Sequence, residues 1–417
     1  MEDKYIPDIS VIVIVYNIEK YIGECLECIL SQEGPSLECI CIDDASTDES
    51  YLVLEKYAKK DKRIKIIRNE KNMGQSSSRN KGFRYATGEY LYCIDGDDFL
   101  VSGTLKRLYS CAKENHLDLL GFSANSFFED DDMRRFGEEG EYDRKGSYLD
   151  VKRGVEVFGD LITNGDRVNA NIVLYFYRRD YFEANNLYAV EELRYADDSM
   201  FAMYMAAKRV MCIPDRLYMR RYRQGSTCTS AMKKCYLESL IVLFLHELQV
   251  WDSYNFDTLL NEKIERYFNN RLIEIKGFFK IFQNDSSDTP LLNKYKMAKY
   301  FYKYFIGDEP LCKKCLTKEE LQRVKEADTV ILYGAGFIAG EVAKTLEYNG
   351  IEDYNVVVTD RGKEHARFRG KEIFSINELE CQKENSVVVV AMSQKNYNMI
   401  METLNMLEYR DICWASL

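Results

Sequence analysis

No stretch of this sequence is long and apolar enough to cross a membrane. The longest apolar run, Ser239 to Leu245 and a little beyond, falls well short of the roughly 20 residues that a spanning helix needs. A secretion signal is lacking too: MEDKYIPDIS is polar before the first β-rich run, so a cytoplasmic protein is expected. Positive charge is in deficit. With 57 Lys and Arg against 68 Asp and Glu, a net charge of −11, the chain is not a general nucleic-acid binder. A regular cysteine framework is missing as well. The 13 cysteines are scattered over 417 residues and read as reduced thiols, not a disulfide framework. Cys312 and Cys315 form a C-x-x-C in a Lys-rich linker, where no zinc site is expected. What is plentiful is apolar and charged residues together, 46% and 30%. That is a soluble globular composition with core enough for two or three domains.

The first hundred residues alternate between two periodicities. Ile9 to Val15 is a β-branched run interrupted only by Ser10, the mark of a strand buried on both faces. Lys20 to Ser31 then carries apolar residues at helical spacing. Leu37 to Ile42 and Ile64 to Ile67 read as strands, Gln75 to Ala86 as a helix, and Glu89 to Ile94 as a further strand. Ser46 or Thr47 is placed to cap the helix that runs to about Lys59. Such alternation predicts a parallel sheet with right-handed crossovers, whose ligands bind beyond the carboxyl ends of the strands. Tyr16, Asp44 and the group Asp95 to Asp98 all fall at those ends.

The last of these groups organises the rest. Tyr90 to Leu100 reads YLYCIDGDDFL and delivers three carboxylates within four residues to one strand end. They repel one another, so positive charge is expected among them. A hard divalent cation, Mg²⁺ or Mn²⁺, suits carboxylate oxygens completed by substrate phosphates. Gly96 would let the backbone come close to the bound group. A solvated acidic turn is the alternative for this stretch alone; the polar groups at the two other strand ends favour a site.

The pattern resembles glycosyltransferase family 2, with its GT-A nucleotide-diphospho-sugar-binding fold. The matching residues are Ser10 to Val13, Tyr16-Asn17, Tyr21 to Leu26, Gln32, Ile42 to Asp48, Asn72 to Ser76, Arg79 to Gly82, Ala86 to Gly88 and Asp95 to Asp98. Their order and spacing hold over roughly the first hundred residues. One departure is Ile14, where the family usually has proline; it should alter only the strand end. The resemblance implies that Asp44 contacts the nucleotide base with Tyr16 near it. It implies that Arg79 lies near the nucleotide, and that Asp95 and Asp97 mark the metal–diphosphate position.

Further along, Leu117 to Ser123 and Ala170 to Tyr177 are apolar, and the charged span Glu129 to Lys145 reads as a loop or β-excursion. Asp197-Asp198 opens a helix with an apolar face at Met200, Phe201, Met203, Tyr204 and Ala207. One acid there is an ordinary cap. The family carries an acid pair at this place, and the resemblance makes Asp198 the general base, with Asp197 beside it. Arg220, Arg221 and Arg223 follow in a Tyr/Arg-rich segment. It resembles the family segment near the diphosphate, with Arg221 the preferred contact; a solvated basic strand end is the alternative.

The expected organisation is a GT-A domain over 1–230, a helical region over 231–325 and a small Rossmann-like α/β domain over 326–417. In the middle region Leu291 to Ile306 is basic and aromatic. Such a helix can lie on an anionic membrane surface, or pack on the catalytic domain or a second subunit. In the last region Gly334, Gly336 and Ala339 satisfy G-x-G-x-x-G/A between a strand and a helix, and Asp360 ends the next strand. A nucleotide site there and a structural or dimerising role both stay open, with no assigned cofactor and no Tyr-x-x-x-Lys pair for hydride chemistry. The expected activity is inverting transfer from a nucleotide sugar, with a UDP-sugar favoured, to a hydroxyl of a surface-glycan or lipid-linked acceptor. A nucleotidyltransferase would want a glycine-rich basic loop after the first strand, and Val15 to Glu19 is not one. A retired transferase scaffold, or a nucleotide-sugar-binding protein with a redox function in the last region, are the remaining alternatives.

Overall fold

A computed structural model describes residues 6–166, 171–191, 193, 200–230, 233–282, 316–335, 337–358, 367–377, 385–391 and 397–415. The expected helix at Leu291 to Ile306, the Cys312–Cys315 pair, Asp197, Asp198, Gly336 and Asp360 lie outside these residues. Among the described residues the chain forms two compact units, the first ending at Lys263 and the second beginning at Ile264. The helical region expected over 231–325 is thus divided between them.

In the first unit, β1 (Ile9–Val15), α1 (Ile22–Leu30), β2 (Leu37–Asp43), α2 (Ser50–Ala58), β3 (Ile64–Arg68), α3 (Gln75–Tyr85) and β4 (Tyr90–Asp95) alternate as the periodicities predict. β1 pairs in parallel with β2 and β4, and β2 with β3. The chain continues through β5 (Phe99–Leu100), α4 (Thr104–Glu114), β6 (Leu119–Phe128), β7 (Tyr148–Lys152), α5 (Gly154–Thr163), β8 (Tyr175–Arg178), α6 (Arg179–Ala184), α7 (Met200–Ala206), β9 (Val210–Tyr222) and α8 (Lys234–Asp252). The sheet runs β3-β2-β1-β4-β8-β6-β9-β5, with β7 also paired to β9. Beyond β4 it turns mixed, because β8 enters antiparallel between β4 and β6. The span Glu129 to Lys145 is loop with one short 3₁₀ turn at Asp131–Arg135. The unit boundary falls within α9 (Thr258–Phe282).

The second unit holds α10 (Lys318–Glu326), β10 (Thr329–Tyr333), α11 (Phe337–Tyr348), β11 (Asn355–Val358), β12 (Arg367–Phe368), β13 (Lys371–Ser375), β14 (Ser386–Val390), α12 (Tyr397–Met406) and β15 (Asp411–Trp414). Its sheet order is β12-β13-β11-β10-β14-β15. Alternate strand residues feed two cores. Leu332, Val356 and Val389 pack with Val342 and Leu346 of α11, and Ile331, Val357 and Val388 pack with Ile400 and Leu404 of α12. This is a small doubly wound, Rossmann-like arrangement. The short strands β12, β13 and β15 lack the all-apolar runs that mark β10, β11 and β14.

One polar element sits inside the first sheet. Ser10 on β1 stands in register with Glu38 on β2, and its hydroxyl donates to Glu38 Oε1 at 2.5 Å. Thr87 adds its N–H at 2.7 Å and its hydroxyl at 2.8 Å, and Lys65 Nζ lies 2.6 Å from Oε2. Burial alone would raise the Glu38 carboxyl, but these partners outweigh it and hold its pKa below the ordinary glutamate value. A carboxylate depressed on folding adds stability above its unfolded pKa and loses it as pH falls through the folded one. Glu38→Gln is therefore expected to flatten the decline of the urea unfolding midpoint between about pH 6 and pH 3. Superimposable pH profiles for the two proteins would show that Glu38 does not carry this effect.

Candidate functional site

The carboxyl ends of β2, β1 and β4 lie side by side and carry the polar groups. Tyr16 follows β1 and is 45% exposed, while the next residue, Asn17, has φ of 51°. Asn17 Oδ1 accepts from Thr47 N at 2.8 Å, and Asn17 N donates to Ser46 Oγ at 3.1 Å. Ser46 and Thr47 therefore tie the β1 exit to the β2 exit and do not cap α2, as the sequence reading had them. The first N–H of α2, on Ser50, is instead received by Asp48 Oδ1 at 3.0 Å.

Asp44 is buried at the β2 end and serves as a hub. Its Oδ1 accepts from Asn69 Nδ2 at 2.8 Å and from Met73 N at 2.7 Å, and its Oδ2 accepts from Gly74 N at 2.9 Å. Gly74 has φ of 86° and leads into α3, a backbone shape that glycine adopts without strain. The carboxylate thus shapes the 69–74 loop.

The acid cluster ends β4. Asp95 Oδ1 receives Arg79 Nη2 at 2.7 Å, the Arg79 side chain being 3% exposed and that of Asp95 25%. Burial disfavours the guanidinium charge, but Asp95 more than offsets this and keeps the Arg79 pKa above its ordinary value. Arg79 is therefore set behind Asp95. Asp97 Oδ2 receives Arg223 Nε at 2.9 Å and Nη2 at 2.8 Å. Asp98 accepts from the Tyr218 hydroxyl at 2.5 Å and from Arg221 N at 2.7 Å. Burial pushes the Asp97 and Asp98 carboxyls up, most strongly Asp98, where the neighbouring acids add to it. Gly96 has a role other than the one expected. A Cβ there would lie 2.6 Å from Ile18 Cδ1 and 2.8 Å from the Ile14 carbonyl oxygen. The close approach it permits is to the protein's own β1 exit.

The three arginines of β9 and its exit diverge. Strand alternation sends Arg220 over the Tyr142 and Tyr222 rings and sends Arg221 and Arg223 toward the acids. Arg221, 7% exposed, lies against Tyr21, Phe99 and Phe127, ion-pairs with Glu24 and approaches Glu129. Its Nε donates to the Asp97 carbonyl at 2.8 Å. A solvated basic strand end is excluded by this burial. Arg221 is clamped, and it is Arg223 that meets an Asp97 carboxylate oxygen. The pairing of Glu24, Glu129 and this aromatic box with Arg221 escaped the sequence reading; Tyr21 and Glu24, three apart at the start of α1, are the one local signal.

Asp197 and Asp198 lie outside the described residues, but the segment before them is anchored. Asn80 exchanges hydrogen bonds with Ala189, at 2.8 Å to its carbonyl and 2.9 Å from its N–H. Arg84 pairs with Glu191 at 2.9 Å. The helix α3 that holds Asp95 through Arg79 thereby also holds the approach to the acid pair. In the second unit, Gly334 follows β10 with φ of 128°, and its N–H is taken by the Val357 carbonyl at 2.8 Å. That amide is committed to the sheet.

Asp95 and Asp97 offer hard oxygen donors two residues apart, a set that fits Mg²⁺ or Mn²⁺. The described residues contain no cluster of three or more His, Cys, Asp or Glu arranged as a complete cage. A cation there would take its further ligands from a substrate and water, as hard divalent ions do.

Acids at the ends of adjacent parallel strands, paired with largely buried arginines, place a candidate site at the carboxyl edge of an α/β domain. The family model for Glycosyl transferase family 2 matches residues 10–171. The chain is 30% identical over 264 residues to an uncharacterized glycosyltransferase, EpsJ, of Bacillus subtilis (strain 168), over 63% of this chain and 75% of that one. It is 30% identical over 235 residues to the poly(ribitol-phosphate) β-N-acetylglucosaminyltransferase TarS of Staphylococcus aureus (strain MW2), over 53% of this chain and 37% of TarS. The crystal structure of S. aureus TarS 1–349 in complex with UDP-GlcNAc shares the fold, with a TM-score of 0.56 at 21% identity, covering 90% of this chain and 98% of that one. The chain belongs to glycosyltransferase family 2 and is a glycosyltransferase of GT-A fold.

Removing the Tyr218 hydroxyl would leave a buried Asp98 oxygen without its donor. Tyr218→Phe is expected to destabilise the first unit by about 1–3 kcal/mol, read as a lowered urea midpoint. A midpoint within error of the wild type would mean that water replaces the hydroxyl.

Proposed function

We propose that the enzyme transfers a sugar from a UDP-sugar to a hydroxyl of a cell-surface glycan or lipid-linked acceptor, with inversion. The observation that carries this reading is the row of Tyr16, Asp44 and Asp95–Asp97 along one edge of the sheet. Asp44 Oδ2 accepts a single hydrogen bond among the described residues, and its second lone pair suits the imide N–H of uracil. The exposed Tyr16 ring would lie against the base. Asp95 and Asp97 would hold a divalent cation against the diphosphate. When bound, that cation neutralises charge growing on the departing nucleotide. The UDP-GlcNAc complex of TarS supports the choice of a UDP donor, and the poly(ribitol-phosphate) acceptor in the TarS name supports a surface polymer.

Asp198 is assigned as the base. An acceptor hydroxyl is a weak nucleophile, and a carboxylate within hydrogen-bond reach removes its proton as the C–O bond forms. Attack opposite the leaving diphosphate inverts the anomeric carbon. A cytoplasmic enzyme working at the inner membrane face fits such an acceptor. The structure has no helix long and apolar enough to cross a membrane among the described residues. The C-terminal unit is read as a structural or nucleotide-binding module, with Gly334, Gly336 and Asp360 as its candidate site.

Nucleotide release from a panel of UDP-, GDP-, dTDP- and CMP-sugars with Mn²⁺ or Mg²⁺ tests this. One UDP-sugar is expected to be hydrolysed slowly, with a metal requirement, and Asp97→Ala to abolish the turnover. With an acceptor, Asp198→Asn is expected to lower kcat by about 10²–10⁴ and leave donor KM nearly unchanged. No hydrolysis of any donor, together with no UDP binding by calorimetry, would favour a non-catalytic scaffold.

A further inference from the structure

The two carboxylates assigned to the cation are neutralised by unlike arginines. Arg79 projects from the middle of α3 and is sealed behind Asp95. Arg223 lies one residue past the end of β9, with its side chain 14% and that of Asp97 20% exposed. Two of its N–H groups converge on the single oxygen Asp97 Oδ2. Its guanidinium carbon lies over the Tyr21 ring, 4.8 Å from the centroid, a non-directional cation–π contact that tolerates a shift of the cation across the ring face. Arg221 cannot make the same move, being clamped by Glu24 and by the Asp97 carbonyl.

We propose that Arg223 is an exchangeable counter-ion. It occupies Asp97 while the site is empty, and it passes to the donor diphosphate when a divalent cation takes Asp97. The inference rests on the reading of Asp95 and Asp97 as the metal–diphosphate position. A cation arriving alone meets a carboxylate already paired and a like charge beside it, and it would strand a mostly buried guanidinium. A diphosphate arriving with the cation supplies acceptors for the displaced arginine. Cation and donor therefore enter as a pair, and the empty enzyme does not hold the metal tightly.

Mn²⁺ binding measured by electron paramagnetic resonance, with and without UDP, tests this in the full chain. The wild type is expected to bind Mn²⁺ weakly alone and tightly with UDP. Arg223→Gln is expected to tighten Mn²⁺ alone by about tenfold and to weaken UDP at saturating Mn²⁺ by a similar factor, so that the coupling between them shrinks. Arg223→Lys keeps the charge and is expected to stay near the wild type for Mn²⁺ alone; it serves as the folded control. If Arg223→Gln does not fold, Arg223→Lys still decides, since Mn²⁺ affinity raised as the guanidinium fork is lost would show that charge is not the cause. Mn²⁺ that binds with UDP but no more tightly alone in Arg223→Gln overturns the exchange and leaves the proposed function standing. Wild type that binds UDP but no Mn²⁺ overturns both the metal reading and the exchange.

Discussion

Three carboxylates at one strand end set the terms for the rest of the first unit. Asp95 ends a buried strand and Asp97 and Asp98 follow within three residues, and that much like charge cannot gather at one strand end without answering cations and donors. The answers come from remote segments: Arg79 from α3, Arg223 from the β9 exit, and Tyr218 with the Arg221 amide from β9 itself. Neutralising the cluster therefore fastens β4 to a helix on one side and to the far end of the sheet on the other. Asp97 and Asp98, raised by burial, depend on these partners most.

The helix α3 couples the parts of the site. Its N-terminus begins at the loop shaped by Asp44, its middle delivers Arg79 to Asp95, and Asn80 and Arg84 hold the 189–191 segment that leads toward Asp197 and Asp198. The loop shaped by Asp44, the acid cluster at the β4 end and the segment before Asp197 and Asp198 are thus all tied to one helix. For a transfer between two bound substrates, placement on a common frame is worth more than the strength of any one contact.

Charge is also distributed so that some cations hold and others can be released. Arg221 is enclosed by three rings and two glutamates, and Arg79 is sealed from solvent. Arg223 stands at the margin. The tandem Arg220-Arg221-Tyr222-Arg223 looks uniform as a sequence, but strand alternation turns Arg220 away from the other two, and Arg223 differs from Arg221 because it lies past the end of β9.

The sequence by itself determined the chemistry of the strand ends and the local elements that present it. A β-branched run marked β1 and shorter strand-forming runs marked β2 and β4, their termini marked Tyr16, Asp44 and the acid cluster, and the alternation with helices ordered them in parallel, since each of these signals is local. Only the tertiary structure decided which cation meets which acid, that β8 enters the sheet antiparallel, and that Gly96 makes room for Ile14 and Ile18. The physical reason is separation along the chain. Arg223 reaches Asp97 across 126 residues and Glu24 reaches Arg221 across 197. No periodicity or spacing within either segment specifies a partner that only folding brings within a few ångströms.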